Sequence, residues 1–209
     1  MKIVCFNVNG IRAREHQLRA IQEKHDPDIL ALQETKVQDL EFPVGMVAGL
    51  GFKALYHGQK SHYGVALLCK QEPVSVQKGF PGEPDDAQRR VIAGEFETRG
   101  GQRLTVINGY YPQGESREHP VKFPHKRQFY ADMRAYLRDN FTPDQNLLLV
   151  GDMNVAPLDL DIGIGADNAK RWLRSGKCSF LPEEREWLET LRAWGLDDVY
   201  RRHYPQVVD

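Results

Sequence analysis

Short apolar runs punctuated by Gly and Pro recur along this chain and constrain its fold more than any other feature. Ile3 to Phe6, Ile29 to Leu32, Val65 to Leu68, Val91 to Phe96, Leu104 to Ile107 and Leu147 to Val150 read as strands, several of them rich in β-branched residues. Helical patterns lie among them. In "FYADMRAYLRDNF" the apolar positions Phe129, Tyr130, Met133, Tyr136, Leu137 and Phe141 follow a helical stripe. In "LPEEREWLETLRAWG" Pro182 suits a first turn, Trp187, Leu188, Leu191 and Trp194 form the stripe, and Gly195 suits the stop. A weaker helix over 13–25 is carried by Leu18 and Ile21 and ends at Asp26-Pro27. Mixed strands and helices predict an α/β architecture.

No repeat, low-complexity tract or linker rich in Gly, Ser or Pro divides the 209 residues, so one domain spanning 1–209 is expected. A formal charge of −1 excludes a global positive field and leaves room only for a local basic patch. Cys5, Cys69 and Cys178 show no CxxC or Cys/His spacing, which argues against zinc and for reduced thiols. No apolar stretch approaches the ~20 residues of a membrane span. The first residues, "MKIVCFNVNG", lack a signal-peptide pattern. The expectation is a soluble, cytoplasmic protein without a membrane partner.

Several strands end alike. "KIVCF" runs into Asn7 and Asn9-Gly10, "DILALQ" into Glu34, "LTVI" into Asn108-Gly109-Tyr110-Tyr111, and "NLLLVG" into Asp152 and Asn154. Ligands gather at the carboxyl ends of strands in open α/β sheets, so these polar ends can converge on one crevice. Carboxylates and amides are hard oxygen donors, suited to Mg²⁺ or Mn²⁺ rather than zinc. Taken singly, each has a plainer reading: Asn7, Asn9 and Asn108 as turn residues, Asp152 as a cap, Tyr110 and Tyr111 as core aromatics. No GxxxxGK[ST], HExxH or GxSxG is present, and "GIGADN" lacks the last glycine of a dinucleotide fingerprint.

The stretches "FNVNGIRAR", "LALQETKV", "YHGQKSHYGVALL", "INGYYPQGES", "GDMNVAP", "DLDIGIG" and "KCSFLPEEREW" resemble the exonuclease III group of AP endonucleases, within the endonuclease/exonuclease/phosphatase superfamily. The resemblance runs the length of the chain. "YYPQGES" and "KCSFLPEEREW" carry it most specifically. It implies a four-layered α/β sandwich, two mixed β-sheets packed face to face with helices outside. It also implies Mg²⁺-dependent hydrolysis of DNA phosphodiesters by a monomer. The activities would be 3′→5′ exonuclease action on double-stranded DNA, incision of abasic-site DNA and removal of 3′ blocking groups. By motif position Glu34 would be the principal metal ligand, with Asn7 close to the metal. Asp152 would orient or deprotonate the attacking water and could also bind the ion. Asn154 would hydrogen-bond the phosphoryl group and reach the metal, and Tyr110 would contact the phosphate as charge builds.

Basic segments supply candidate DNA contacts. "SREHPVKFPHKR" offers Arg117, Lys122, Lys126 and Arg127; "KRWLRSGKCSF" offers Lys170, Arg171, Arg174 and Lys177, with Trp172 and Phe180 for stacking. Gln113 and Arg90 are further expected minor contacts. Beyond its equivalent of "YPQ" the family carries an Asp and a Ser-Asp-His stretch, together with central strands, that have no counterpart in these 209 residues. The resemblance therefore also implies a sandwich short of its last strands and, without a positioned acid/base partner worth roughly 10²–10⁴-fold in rate, a weak or inactive nuclease. Two alternatives stay open: a same-superfamily phosphoesterase acting on inositol phosphates or phospholipids, and a non-catalytic DNA-binding module.

Overall fold

A computed structural model describes residues 1–208, which group into two compact units. The first joins Met1–Tyr110 to Gln145–Asp152, and the second joins residues 111–144 to those from Met153 onward. Among the described residues no helix is long and apolar enough to cross a membrane.

The first unit holds both sheets. Strands β1 (Ile3–Asn7), β2 (Ile29–Gln33), β3 (Lys53–His57) and β4 (Val65–Cys69) form one sheet in the order β1-β2-β4-β3. Strands β5 (Ser75–Lys78), β6 (Val91–Glu97), β7 (Arg103–Tyr110) and β8 (Leu147–Asp152) form the other in the order β5-β6-β7-β8. Both are mixed: β1 runs parallel to β2 and β7 parallel to β8, and the remaining pairs are antiparallel. Side-chain alternation explains the stacking. From β2 and β4, Ile29, Ala31, Val65, Leu67 and Cys69 meet Ile92, Phe96 and Val106 of the opposite sheet. The intervening Leu30, Leu32, Ala66 and Leu68 face the other way, onto Val8, Ile11, Leu18 and Val47. Leu18 belongs to α1 (Glu15–His25) and Val47 to α2 (Val44–Gly49), so helices cover the outer face of the first sheet.

The expected strands are all present, each extended by a residue or more at its carboxyl end. Two strands, β3 and β5, were not foreseen. β5 is mostly exposed, and "SVQK" has too little apolar character to announce itself. Asn108 corrects the expectation of a turn or strand-end residue. It lies inside β7, fully buried between the sheets. Its Nδ2 donates to Leu32 O at 2.9 Å and Ala66 O at 3.0 Å, and its Oδ1 accepts from Gln33 Nε2 at 2.6 Å. The amide is satisfied by polar groups of the facing sheet, which removes the desolvation penalty that would otherwise push it to the surface.

His57, at the end of β3, is buried with Nε2 3.5 Å from Arg89 Nη1. Burial, then the Arg89 charge, brings its pKa down from 6.5 to about 4; Asp39 opposes this and Lys78 adds to it. A folded-state pKa below the unfolded value means that the stability tied to neutral His57 is intact above pH 6.5 and is lost as pH falls toward about 4. His57→Gln is expected to flatten the pH dependence of the unfolding free energy across that window, measured by urea titrations. An unchanged slope would assign the acid sensitivity to other groups.

The second unit is helical. Helix α3 (Lys122–Asn140) packs on α5 (Pro182–Arg192), with the Phe123 and Trp187 rings 5.3 Å apart and those of Tyr130 and Trp187 6.3 Å apart. Pro182 occupies the first turn as expected. The α3 stripe holds from Phe129 to Leu137, but Phe141 is already extended and packs back on Tyr136 at 5.4 Å. Helices α4 (Ala166–Arg174) and α6 (Val199–His203) complete the unit.

Candidate active site

In the first unit, Asn7 ends β1, Glu34 follows β2, Tyr110 ends β7 and Asp152 ends β8. Parallel pairing within each sheet sends the carboxyl ends of β1 with β2, and of β7 with β8, in a common direction. Stacking of the two sheets then brings the four side chains together. The Asn7 amide is the link: Nδ2 donates to Glu34 Oε1 and to Asp152 Oδ2, both at 2.8 Å. Asn7 Oδ1 accepts from the Asn9 backbone N–H at 3.1 Å, which fixes which end of the amide faces the carboxylates.

Glu34 has the left-handed backbone conformation, φ 55°, which L residues rarely adopt. Its carbonyl accepts from Gly10 N at 2.8 Å, and Val8 N donates to Gln33 O at 3.0 Å, so the loop after β1 holds the strained turn after β2. Burial alone would raise the Glu34 carboxyl pKa. Hydrogen bonds from Asn7, Lys36 and Tyr110 outweigh it and hold the group below the usual carboxylate range. Lys36 Nζ sits 2.9 Å from Glu34 Oε2 and also reaches Asn9 Oδ1. Burial, and then the Glu34 charge, drive the Tyr110 hydroxyl well above its ordinary value, so it stays protonated and a donor.

Arg90 corrects an expectation. It was expected to contact DNA, but its guanidinium is buried between the rings of Tyr63 and Tyr110, at 4.5 Å and 4.7 Å from their centroids. Its Nη1 donates to Tyr110 O at 2.9 Å and its Nε to Gln88 Oε1 at 2.7 Å. Flat on two aromatic faces, it stiffens Tyr110 rather than presenting charge to solvent.

Asp152 depends on the glycine before it. Gly151 lies opposite Gly109 in the parallel β7–β8 register, and a Cβ there would stand 1.9 Å from Gly109 O. Two bare backbones in contact let β8 approach β7 closely enough to deliver the Asp152 carboxylate.

The other expected residues lie in the second unit. Asn154, also left-handed at φ 52°, donates from Nδ2 to Tyr111 O at 2.9 Å. Gln113 is exposed, with Oε1 accepting from Glu115 N at 2.7 Å. Lys122 Nζ meets Glu115 Oε2 at 2.5 Å, and Arg117 grips Glu183 through both Nε and Nη2. Lys126 is a second correction: it is fully buried against Glu184, where it can reach no phosphate. Lys170, Arg171 and Arg174 stand exposed on α4, and Lys177 lies with Nζ 4.3 Å from the Trp172 ring centroid. Phe180 is a third correction, since it is buried in a stack with Trp172 (centroids 5.9 Å apart, planes 3° apart) and offers no free face of its own. Trp172 remains partly exposed.

Sequence reasoning missed the parts played by Lys36, Asn9 and Tyr63. Lys36 had a signal, standing two residues after Glu34 in "ETK"; Tyr63 had none. Among the described residues no three His, Cys, Asp or Glu side chains are gathered as a metal cage. The available donors are the carboxylates of Glu34 and Asp152, joined through Asn7 Nδ2. Mg²⁺ is usually held by one or two carboxylates, with water and substrate phosphate completing its shell, so this hard-donor set fits such an ion.

A sequence profile described as the Endonuclease/Exonuclease/phosphatase family matches residues 4–207. Over 209 residues the chain is 55% identical to exodeoxyribonuclease III of Haemophilus influenzae, covering 100% of this chain and 78% of that protein. The 3′ phosphatase NExo from Neisseria, solved with a product DNA hairpin, superposes with a TM-score of 0.85 at 34% identity, over 99% of this chain and 76% of that one. An AP endonuclease from Archaeoglobus fulgidus superposes with a TM-score of 0.86 at 32% identity, over 99% and 75% of the respective chains.

Proposed function

Because the chain belongs to the endonuclease/exonuclease/phosphatase family, we propose that it is a DNA repair nuclease that hydrolyses phosphodiesters with a divalent cation, Mg²⁺ first and Mn²⁺ as its substitute. Its substrates are double-stranded DNA attacked from 3′ ends, abasic-site DNA and 3′-blocked ends. The observation that carries this reading is the Asn7 amide shared between Glu34 and Asp152, which builds an oxygen-rich centre where strands of both sheets end.

Glu34 and Asp152 would hold the cation, with the Asn7 amide orienting both carboxylates through Nδ2; when bound, the ion supplies positive charge to the phosphoryl oxygens. Glu34 suits this role because its carboxyl stays ionised well below neutrality. Asp152 accepts from Asn7 through Oδ2 and is assigned the attacking water, which it orients and relieves of a proton. Tyr110 keeps its hydroxyl proton and donates toward the phosphate as negative charge accumulates. Asn154, two residues after Asp152, is assigned a hydrogen bond to the phosphoryl group. The exposed cations of α4, with Lys177 over Trp172, grip the DNA backbone through charge.

The test is single-turnover incision, with enzyme in excess so that slow chemistry is read directly. Labelled duplexes carrying an abasic site, a recessed 3′ end or a 3′ phosphate are offered with Mg²⁺, and again with EDTA. Cleavage abolished by EDTA and restored by Mg²⁺ is expected. Salt-sensitive binding without cleavage at any cation level would make the protein a DNA-binding module. Preferential hydrolysis of inositol phosphates or phospholipid head groups would move it to another branch of the family.

A further inference from the structure

Lys126 of α3 and Glu184 of α5 are both fully buried, and their charged ends meet at 2.5 Å. A buried ion pair gains little net stability, because desolvation offsets the attraction. The geometry of this pair gives it another use. An ammonium has three N–H donors, and each finds an acceptor: Glu184 Oε1 at 2.5 Å, Asn154 O at 2.8 Å and Gln113 O at 3.2 Å. Glu184 spends its other oxygen on the Leu181 backbone N–H at 2.8 Å, which anchors the start of α5. The site is built tightly: a Cβ on Gly114 would stand 2.9 Å from both Lys126 Cδ and Cys178 Sγ.

Asn154 needs such a hold. Asn tolerates the left-handed backbone better than other residues with a Cβ, yet the conformation still carries a cost that surrounding contacts offset. Three bonds impose it within this unit. Tyr130 Oη donates to Met153 O at 2.8 Å, Lys126 Nζ donates to Asn154 O, and Asn154 Nδ2 donates to Tyr111 O. Of these three, the Lys126 bond is the one made to the Asn154 carbonyl. The same ammonium holds the backbone of Gln113, itself expected to face DNA.

We propose that Lys126 is a positioning residue: by pinning the Asn154 carbonyl it maintains the left-handed turn and so sets the direction of the Asn154 side-chain amide. It touches no substrate. The inference rests on the nuclease reading, which gives the Asn154 amide its task. Glu184 neutralises and anchors the ammonium, so its own contribution is to stability.

Two variants separate positioning from stability. Glu184→Gln leaves the ammonium on both backbone carbonyls but strips its counter-charge. It is expected to melt earlier than the parent, keep the parent's Asn154 side-chain amide signal in ¹⁵N NMR, and keep kcat within about twofold. Lys126→Met/Glu184→Gln removes the tripod while matching the stem and preserving the Leu181 acceptor. It is expected to broaden or split the Asn154 signal and lower kcat about tenfold, with KM for duplex DNA nearly unchanged. Asn154→Ala identifies the signal by its disappearance. A double variant with the parent's Asn154 signal, or a kcat that merely follows melting temperature in both variants, overturns the proposal. If Asn154→Ala cleaves as fast as the parent, the catalytic use of Asn154 fails, while the NMR comparison still decides whether Lys126 positions it.

Discussion

Asp152→Asn is expected to lower single-turnover cleavage by about 10²–10⁴-fold, the range for losing a positioned general base. The substitution keeps the size of the side chain and leaves an oxygen able to accept from Asn7 Nδ2, so the link between β1 and β8 survives. In the proposed mechanism it removes a negative charge and the group assigned to take the proton of the attacking water. Melting temperature and DNA affinity in Ca²⁺ should therefore stay close to the parent's while the rate collapses. Glu34 is not expected to substitute, because Asn7 and Lys36 already engage its two carboxylate oxygens. An Asp152→Asn protein that cleaves at the parent's rate would transfer the water to another group and leave Asp152 as a ligand alone.

Gly151→Ala is expected to be the most destabilising single-atom-scale change at the site. The added Cβ would stand 1.9 Å from Gly109 O, and φ 146° is itself a conformation that L side chains rarely adopt. Overpacking against backbone, added to the conformational penalty, costs about 3–5 kcal/mol. For a chain of this size that lowers the melting temperature by roughly 6–20 °C. Neither side of the contact can swing away, because both Gly109 and Gly151 lie within the β7–β8 ladder. Thermal unfolding followed by circular dichroism measures the loss, and activity at low temperature reports how far Asp152 has been displaced. A shift of under a degree would mean that β8 can slide without cost, contrary to the close pairing described above.

The two substitutions involve neighbouring residues in "GDMN" and differ in legibility. Asp152 was readable as chemistry, since a carboxylate at the end of an apolar strand requires a partner. The need for Gly151 was not, because it arises from a strand forty-two positions earlier in the chain, at Gly109. The same contrast recurs elsewhere. Asn108 before glycine reads as a turn locally, yet a buried acceptor and donor set on the facing sheet makes it a core residue. Lys126 and Arg90 read as basic contacts, yet Glu184 and the rings of Tyr63 and Tyr110 give each a place inside.

By itself the sequence determined the strands other than β3 and β5, the helices α1, α3 and α5 and the residue types of the candidate site, because periodicity and strand-end chemistry are local properties written in neighbouring residues. Its motifs also carried the family. Only the tertiary structure decided which polar groups share an environment. Burial, close backbone approach and hydrogen-bond pairing depend on residues far apart in the chain, and these turned expected DNA contacts such as Lys126 into the internal framework that holds Asn154.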